Sequence, residues 1–459
     1  MQFDLIEFIS MSSQDSPASF GSIGAEPPVL SVVSSPISII FEWVALLPLA
    51  IYLASNRLQY RLVGQTALSG HVPIALFPRL GVLGTLADFL QQGQEFFDRA
   101  SSVNDLSQKI WDVNWGSIFP CANGAVAAML SAYALRGIKV QKIPEEVDQI
   151  PPHLLGKEPS SNTSFQPAKL NSPFRRYQKL HILHFAECTK KVSHARYLWD
   201  DLPTALEVLF LIVLLGISVL CFLFGLYGTA AAVILAVLLR ISRQLMTIER
   251  PSGYLKNNEG DLPGCMLVAV HENASKWYLY IGSRGVIDTI LNKTMVQDVK
   301  SPMGVWHGYG LRLLEALQIL IMTYVAAQKG WDGVALVSLV IVASAIDFIT
   351  LRDDRIAERW LKREGIQVDA TILQFSGRTP MIGTIQALGN QRSTTWMDGI
   401  IAPSTRRNVW LERLASKPVD SDSEKDLSAS DKDWIDLNER LTLVAQGMIP
   451  PDIKSEMSP

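Results

Sequence analysis

The stretch TALEVLFLIVLLGISVLCFLFGLYGTAAAVILAVLLR (Thr204–Arg240) contains one acidic residue, Glu207, and no basic residue before its last position. As one straight helix it would be roughly 55 Å long, because an α-helix rises about 1.5 Å per residue. The apolar core of a bilayer is about 30 Å thick and is crossed by about 20 residues. The stretch is therefore too long for one crossing, and the glycines of FLFGLYG favour a turn near its middle. We predict a transmembrane helical hairpin over residues 203–246.

Three further regions of the chain are strongly or moderately apolar. LRLLEALQILIMTYVAAQ and GVALVSLVIVASAIDFITL, separated by KGWD, predict a second hairpin over residues 311–351. ISIIFEWVALLPLAIYLA predicts an N-terminal span over residues 37–54, in which Pro48 is tolerated if neighbouring helices satisfy the freed carbonyl. The weaker segments 72–90 and 118–135 are predicted to pack against the bundle or to lie at the membrane interface.

The composition agrees with a membrane protein. Of the 459 residues, 48% are apolar and 19% are charged, and the net charge of −3 gives no basic excess of the kind that nucleic-acid binding requires. The four cysteines form no CxxC pair, so the sequence predicts neither a zinc ribbon nor a disulfide framework. Residues 1–36 contain no Lys or Arg, which does not fit a secretory signal peptide, and we interpret them as a disordered tail.

Basic residues predict the orientation of the spans. Lys and Arg accumulate at the cytoplasmic ends of membrane helices. They flank the first hairpin on both sides and follow the second, with the densest cluster in Arg352–Arg363. This places three regions in the cytoplasm, namely 55–202, 247–310 and 352–416. Because the first span ends and the first hairpin begins in the cytoplasm, the chain has five or seven spans, of which we favour five. The cytoplasmic placement also puts three sequons out of reach of glycosylation: Asn162, Asn273 and Asn292.

Two of these cytoplasmic regions are rich in β-forming residues. CMLVAVH and KWYLYIG, joined by the polar ENAS, predict a β-hairpin within residues 247–310. Ile366–Leu388 predicts a second pair of strands with a turn at Ser376–Pro380. The four strands would form a small β-rich module. We interpret the GxxG sequence at Gly282–Gly285 as a turn, because no Gly-Lys-Ser/Thr sequence follows it.

The sequence HILHFAECTKKVSH is a candidate metal site. His181, His184 and Cys188 lie at positions i, i+3 and i+7, which is one face if the segment is helical. Imidazole and thiolate groups arranged in this way bind zinc. The alternative, which we favour, is an amphipathic helix under the membrane that keeps its histidines at the water boundary.

Two acidic pairs, Asp200–Asp201 and Asp353–Asp354, stand at the ends of the predicted hairpins. If the two pairs met at the cytoplasmic end of the bundle, their four carboxylates could bind Mg²⁺ together with a diphosphate. An enzyme that acts on a lipid or isoprenoid substrate requires such a site. The alternative is that Asp201 begins a helix and that the second pair makes local ion pairs with its flanking arginines.

An ionisable residue inside a predicted span is a candidate functional residue, because burial of a charge in lipid costs free energy that only a useful contact justifies. Glu42 and Glu315, with Gln318 one turn beyond Glu315, are the candidates for a polar contact or a transport path. Glu207 and Asp347 lie near segment ends, where lipid headgroups would solvate them. For Glu315 we favour a local ion pair with Arg312.

The tail over residues 417–459 begins as an acidic linker. It ends with Trp434, Leu437, Leu441 and Val444 on one face of a short helix. Such a helix docks on the protein itself or on a partner protein. We favour docking on the protein itself.

The run CMLVAVHENASKWYLYIGSRGVIDTILNKTM, between the two apolar hairpins, resembles multi-spanning membrane proteins of filamentous ascomycete fungi that have no assigned activity. Some of those proteins are encoded beside secondary-metabolite genes, so the resemblance implies a tie to fungal secondary metabolism and carries over no catalytic residue.

From the residues we expect a mainly α, multi-pass transmembrane protein with a small cytoplasmic β-rich module, embedded in a lipid bilayer. A non-catalytic scaffold or accessory protein is favoured, because no complete catalytic set is present. A membrane enzyme and a transporter are the alternatives, and no cofactor is strongly implied.

Overall fold

The computed structural model describes residues 35–54, 59–93, 95–96, 107–144, 177–187, 202–246, 248, 250–257, 263–293, 295–296, 302–327, 330–389, 393–415 and 427–453. Several predictions concern residues outside these ranges: those on Asp200, Asp201, Cys188 and Asn162, and the N-terminal tail over residues 1–34.

The helices in chain order are α1 (Ser35–Leu53), α2 (Gln59–Ser69), α3 (Val82–Gln92), α4 (Gly124–Ala134), α5 (Leu202–Leu223), α6 (Tyr227–Leu245), α7 (Arg284–Leu291), α8 (Pro302–Ala327), α9 (Trp331–Thr350), α10 (Asp353–Glu364), α11 (Arg378–Leu388), α12 (Thr405–Leu414) and α13 (Ala429–Gly447). The strands are β1 (Lys109–Asp112), β2 (Ile118–Pro120), β3 (Val140–Lys142), β4 (Gln178–Glu187), β5 (Pro263–Ala269), β6 (Lys276–Ser283) and β7 (Ile366–Phe375).

The seven strands form one mixed sheet in the order β2-β1-β5-β6-β4-β7-β3. The β5–β6 hairpin is antiparallel, with Cys265 opposite Ile281, as the sequence predicts. Strand β4 lies parallel to β6 and antiparallel to β7, and β3 lies parallel to β7. Strands from regions far apart in the chain therefore build one sheet, which is larger than the predicted four-stranded module.

Helices cover both faces of the sheet, and the side chains of β4 alternate between the two cores. Leu183 and Phe185 enter a core shared with α3, α4, α7 and α10. Leu180 and Ile182 enter a second core shared with α11 and α13. A strand with two covered faces is apolar on both sides, as in α/β proteins generally. We call the sheet and its covering helices the sheet domain.

Five apolar helices form a bundle next to the sheet domain: α1, α5, α6, α8 and α9. Helices α5 and α6 follow each other and pack together, and α6 also packs on α8 and α9. Helices α8 and α9 make few contacts with each other, because α1 packs against both of them. Within the described residues, three runs are long and apolar enough to cross a membrane: Tyr227–Leu245, Gly304–Ala327 and Trp331–Glu364, the last joining α9 to α10.

The contact between α1 and α9 depends on a glycine. A Cβ atom at Gly333 would lie 2.5 Å from the Cα atom of Ala45 and 3.0 Å from its nitrogen. One turn earlier in α1, the Phe41 ring meets the Trp331 ring edge-on, with centroids 5.0 Å apart. Small residues allow helix backbones to approach closely in this way.

Two local predictions need correction. The second half of Ile366–Leu388 is the helix α11, not a strand, and its Met381, Ile382 and Ile385 side chains enter the second core. The histidine segment is the strand β4, not an amphipathic helix. A spacing of three and four residues does not distinguish helix from strand in a short run, and β4 gains its pairing from distant strands.

Of the two weaker apolar segments, residues 72–90 are mostly buried, whereas in residues 118–135 the buried positions lie mainly in one helix. Residues 118–135 contain β2 and the packed helix α4, and residues 72–90 contain an irregular stretch followed by most of α3. In the C-terminal tail, α13 packs against α11 and α12, so this helix does dock on the protein itself. Its buried face contains Ile435, Leu441, Val444 and Ala445.

Candidate functional site

An irregular segment, Gly70–Gly81, passes through the helix bundle without forming a helix. Pro73 and Pro78 oppose helix formation, because proline lacks the N–H donor and clashes with the preceding turn. Nevertheless Leu76 packs among side chains of α5, α6 and α9 and is buried. A buried backbone without regular structure leaves N–H and C=O groups that need partners.

Two polar side chains of α8 supply partners to the end of this segment. The Glu315 carboxylate accepts a hydrogen bond from the Gly81 backbone N–H, with Oε1 2.6 Å from the nitrogen. Gln318, whose side chain is 2% exposed, donates from Nε2 to the Pro78 carbonyl oxygen at 2.8 Å. Both residues were candidates for a polar contact inside a predicted span, and the structure brings them together on one backbone segment.

Helices α9 and α1 complete the set of partners. The Asp347 carboxylate accepts from the Leu76 N–H, with Oδ2 3.2 Å from the nitrogen. The Leu80 N–H donates to the Tyr52 carbonyl oxygen at 2.9 Å. Asp347 is thus held by the protein backbone, whereas the sequence suggested solvation by headgroups. We call Asp347, Glu315, Gln318 and the Tyr52 carbonyl the anchor groups of the segment.

Glu315 also stands at the N-terminus of α3. Gly81 precedes the helix with φ of 85°, a left-handed conformation that glycine adopts without strain. A carboxylate at a helix N-terminus is stabilised by the partial positive charge of the unpaired N–H groups. Arg312 pairs with Asp88 on α3 at 2.6 Å. The favoured Arg312–Glu315 pair is therefore replaced by two contacts from α8 to α3.

Glu42 does not share this site. It follows Phe41, which contacts Trp331 at the start of α9. Tyr52 lies ten residues later in α1, which is about 15 Å along the helix axis. The structure therefore brings Glu315 and Gln318 together and leaves Glu42 towards the opposite end of the bundle.

A second polar contact joins α9 to α6 at that opposite end. The Asp332 carboxylate is buried and accepts from the N–H groups of Gly228 at 2.8 Å and Thr229 at 2.7 Å. It also accepts a short hydrogen bond from the Thr229 hydroxyl. The sequence suggested only an interfacial turn at KGWD, because the cap belongs to a helix about a hundred residues earlier.

Both carboxylates of the acidic pair at the start of α10 contact neighbouring polar side chains. Asp353 accepts from Gln65 Nε2 at 2.8 Å. Asp354 forms ion pairs with Arg352 at 2.6 Å and with Arg136 at 2.7 Å, and the hydrogen bond from Arg352 lowers the pKa of Asp354. The Arg352–Asp354 pair agrees with the predicted local ion pairs of this acidic pair. Asp200 and Asp201 lie outside the described residues, so the structure does not show whether the pairs meet.

The two candidate metal-binding histidines lie on β4, three positions apart, and therefore point to opposite faces of the sheet. His181 packs edge-on to Tyr278, with ring centroids 4.8 Å apart. Burial, with the nearby Lys276 and Lys179, lowers the pKa of His181 to about 4. The helical face on which the zinc hypothesis depended is not formed. In the part of the chain that the structure describes, no three His, Cys, Asp or Glu side chains are grouped to hold a metal.

A charged cluster that the sequence did not reveal lies inside the sheet domain. Arg284, at the start of α7, pairs with Asp112 of β1 at 2.7 Å and with Asp288 at 3.1 Å. Asp112 also accepts hydrogen bonds from the N–H groups of Asn114 and Trp115 at 3.1 Å. The Asp112 side chain is fully buried, so this cluster links β1 to α7 in the interior. The only sequence signal was an arginine directly after a strand.

The anchor groups hold the segment Gly70–Gly81 in place by hydrogen bonds to its backbone, which is a structural role. The narrow gap beside Gln318 is lined by apolar side chains, including Phe77, Leu235 and Met322, and has no room for a water molecule. The anchor groups therefore serve the protein's own backbone. Comparisons with protein families, with curated proteins and with solved structures found no match to this chain.

Proposed function

We propose that the chain is a multi-pass integral membrane protein that acts as a non-catalytic scaffold, holding the sheet domain at the cytoplasmic membrane surface. The observation that carries this proposal is the apolar outer surface of the helix bundle. Soluble monomers rarely expose contiguous apolar patches larger than a few hundred Å².

Helix α8 shows this surface most clearly. Six of its exposed large apolar residues recur every three or four positions along the helix and form one stripe: Trp306, Tyr309, Leu313, Leu317, Leu320 and Tyr324. Trp306 is 74% exposed and Leu320 is 63% exposed. The other bundle helices also expose large apolar side chains, among them Leu46 on α1, Phe222 on α5, Leu238 on α6 and Phe348 on α9. This distribution supports a lipid-facing belt around the bundle.

The sheet domain has a different surface. Among the residues that the structure describes there, the exposed large apolar ones are few and scattered: Trp115, Ile118, Ile138, Val140, Tyr177, Val270 and Leu443. Scattered residues of this kind are normal on a protein in water. The contrast supports a lipid-embedded bundle beside a water-exposed domain.

The charges support the proposed orientation. Arginines cluster where α6 and α9 reach the sheet domain, and two of them lie over aromatic rings, Arg240 over Phe210 at 5.1 Å and Arg352 over Phe348 at 5.6 Å. At the other end, the α5–α6 connection contains no Lys or Arg, and the α8–α9 connection contains one, Lys329. Basic residues mark the cytoplasmic end of membrane helices. With α1, α5, α6, α8 and α9 as spans, the chain would cross the membrane five times.

The first test concerns location and orientation. We expect the full chain to remain in the membrane pellet after an alkaline wash and to dissolve in detergent. Asn273 and Asn292 have exposed side chains, yet we expect neither to be glycosylated in eukaryotic membranes, because the sheet domain is cytoplasmic. A glycosylation tag placed before residue 1 should be modified and serves as the control. Release by the alkaline wash would contradict membrane embedding, and glycans on Asn273 or Asn292 would show the inverse orientation.

A second test separates scaffold from transporter. Glu315→Leu removes the acceptor of the Gly81 N–H. With the bundle in lipid no water replaces that acceptor, and an unsatisfied donor away from water costs about 1–3 kcal/mol. We therefore expect lower thermal stability in detergent for Glu315→Leu, and near-normal stability for Glu315→Gln, which keeps an acceptor oxygen. Leu320→Ala, on the exposed stripe of α8, is the matched control. Both functions predict near-normal stability for Glu315→Gln, and a change of solute flux in vesicles for this variant would favour a transporter.

A further inference from the structure

We propose that one face of the seven-stranded sheet binds a ligand with at least two phosphate groups, through Lys142, Lys179 and Lys276. We call these three residues the lysine row. The proposal adds a ligand site to the sheet domain. It does not depend on the proposed membrane location, because it rests on strand register and on side-chain contacts within the sheet domain.

Strand pairing places the three lysines side by side. Lys179 of β4 is directly opposite Lys276 of β6. On its other side, Lys179 is opposite Gln374 of β7, which is itself opposite Lys142 of β3. Residues paired in this way share one face of a sheet, and neighbouring strands lie about 4.8 Å apart. The Cα atom of Lys179 is therefore about 5 Å from that of Lys276 and about 10 Å from that of Lys142.

The positive charge of the row has no counter-charge among the described residues, where none of the three lysine side chains forms an ion pair. The described carboxylate nearest to the row along the chain is Glu272, which pairs with Lys109 at 2.5 Å. On the same face of β4, the carboxylate of Glu187 lies at the opposite end of the strand. Like charges directly opposite each other on paired strands are destabilising. A bound anion would remove the repulsion between Lys179 and Lys276.

A histidine without a hydrogen-bond partner borders the row. His181 lies two residues after Lys179 on β4, and therefore on the same face and about 7 Å away. Its side chain is 8% exposed, and its Nδ1 atom is buried with no hydrogen-bond partner in the described part of the chain. Most buried polar side-chain atoms in proteins have a partner. A phosphate group held by Lys179 would supply one.

The face is covered behind the row and open at the row itself. Helix α4 covers its middle, where the hydroxyl groups of Ser131 and Tyr280 share a hydrogen bond of 2.7 Å. Tyr280 is buried, whereas Lys276, four residues earlier on the same face of β6, is exposed. Lys142 is also exposed, and Lys179 is half-buried. A ligand in solvent can therefore reach the ammonium groups.

The spacing of the row determines the class of ligand. A lysine binds phosphate as a point charge at the end of a flexible four-carbon stem. The adjacent Lys179 and Lys276 can hold one phosphate group between them. Lys142, two strands further along, would contact a second phosphate group of the same ligand. Inorganic triphosphate, a nucleoside triphosphate and the headgroup of a bisphosphorylated lipid share this chemistry.

The test is isothermal titration calorimetry of the purified full chain in a neutral detergent, with inorganic triphosphate and, separately, orthophosphate. We expect triphosphate to bind more tightly. Lys276→Gln should lower both affinities about tenfold, because it removes a hydrogen bond to a charged group. Lys142→Gln should weaken only triphosphate binding, by a similar factor. Lys432→Gln, on α13 at the other face of the sheet, removes the same charge and should change neither affinity.

Two further titrations distinguish the sources of the ligand. Tighter binding of ATP than of phosphatidylinositol bisphosphate in mixed micelles would support a soluble ligand, and the reverse order would support a lipid headgroup at the same row.

Two outcomes would contradict the proposal. Equal triphosphate affinities of the wild-type chain and Lys276→Gln, at equal thermal midpoints, would overturn the lysine row as the site. Binding of a single-stranded RNA oligomer that triphosphate does not displace would overturn the ligand class. Either outcome leaves the proposed membrane scaffold unaffected, because that proposal is tested by the alkaline wash and by glycosylation.

Discussion

Replacing Gly333 with leucine is expected to detach α1 from the helix bundle. The added Cβ atom would lie 2.5 Å from the Cα atom and 2.8 Å from the Cβ atom of Ala45. These are backbone and near-backbone atoms, so no side-chain rotation can make room, and α1 must move away. Overpacking of this kind typically costs 1–3 kcal/mol and occasionally more. We expect a loss of about 3 kcal/mol, seen as a lower unfolding midpoint in detergent and faster proteolysis within α1.

Gly216 on α5 provides the matched control for this substitution. It is also an apolar-helix glycine, but a Cβ atom there would meet no atom within 4 Å. Gly216→Leu gains the same helix propensity, so a difference between the two variants reports packing alone. If Gly333→Leu unfolds at the wild-type midpoint, the close contact between α1 and α9 is wrong.

Replacing Arg284 with methionine is expected to have the largest effect within the sheet domain. It removes the cation that pairs with Asp112 at 2.7 Å and with Asp288 at 3.1 Å. Removing one partner of a buried ion pair typically costs 3–5 kcal/mol, because the remaining charge is left uncompensated in the interior. The loss should appear as a lower denaturation midpoint followed by tryptophan fluorescence, since Trp111 is adjacent to Asp112 in the chain.

A double variant and a surface control make this prediction sharper. Asp112→Asn keeps a side-chain oxygen for the N–H groups of Asn114 and Trp115 but carries no charge. Combined with Arg284→Met, it should recover a substantial part of the lost stability. Lys109→Met breaks the exposed Lys109–Glu272 pair on the same strand, and exposed pairs contribute only about 0–1 kcal/mol. Equal effects of Arg284→Met and Lys109→Met would contradict a stabilising role for the buried cluster.

The strands show where sequence reasoning fails. The β5–β6 hairpin was predicted because its two strands and turn are contiguous. Strand β4 was missed, because its pairing with β6 and β7 joins residues about a hundred to two hundred positions apart. The interpretation of His181 and His184 as ligands on a helix face failed for the same reason. Their positions depend on which distant strands pair with β4.

The polar residues of the bundle also separate what the sequence reveals from what depends on contacts between distant residues. Glu315 and Gln318 were recognised as unusual, since polar groups in apolar helices are rare and costly. Their partners, Gly81 and Pro78, were not recognised, because more than two hundred residues separate them from α8. Asp332 and its partner Thr229 were likewise too far apart in the chain for the capping contact to be anticipated.

The sequence by itself determined where the long apolar helices lie, because the length and apolarity of a run are local properties that need no knowledge of the fold. It also determined the β5–β6 hairpin, but not the β1–β2 hairpin, whose strands are shorter. Only the tertiary structure decided that α1 separates α8 from α9, that distant strands form one sheet, and that Glu315, Gln318 and Asp347 hold an irregular backbone segment. Those features are contacts between remote residues, and each exists only once burial has removed water as the competing partner.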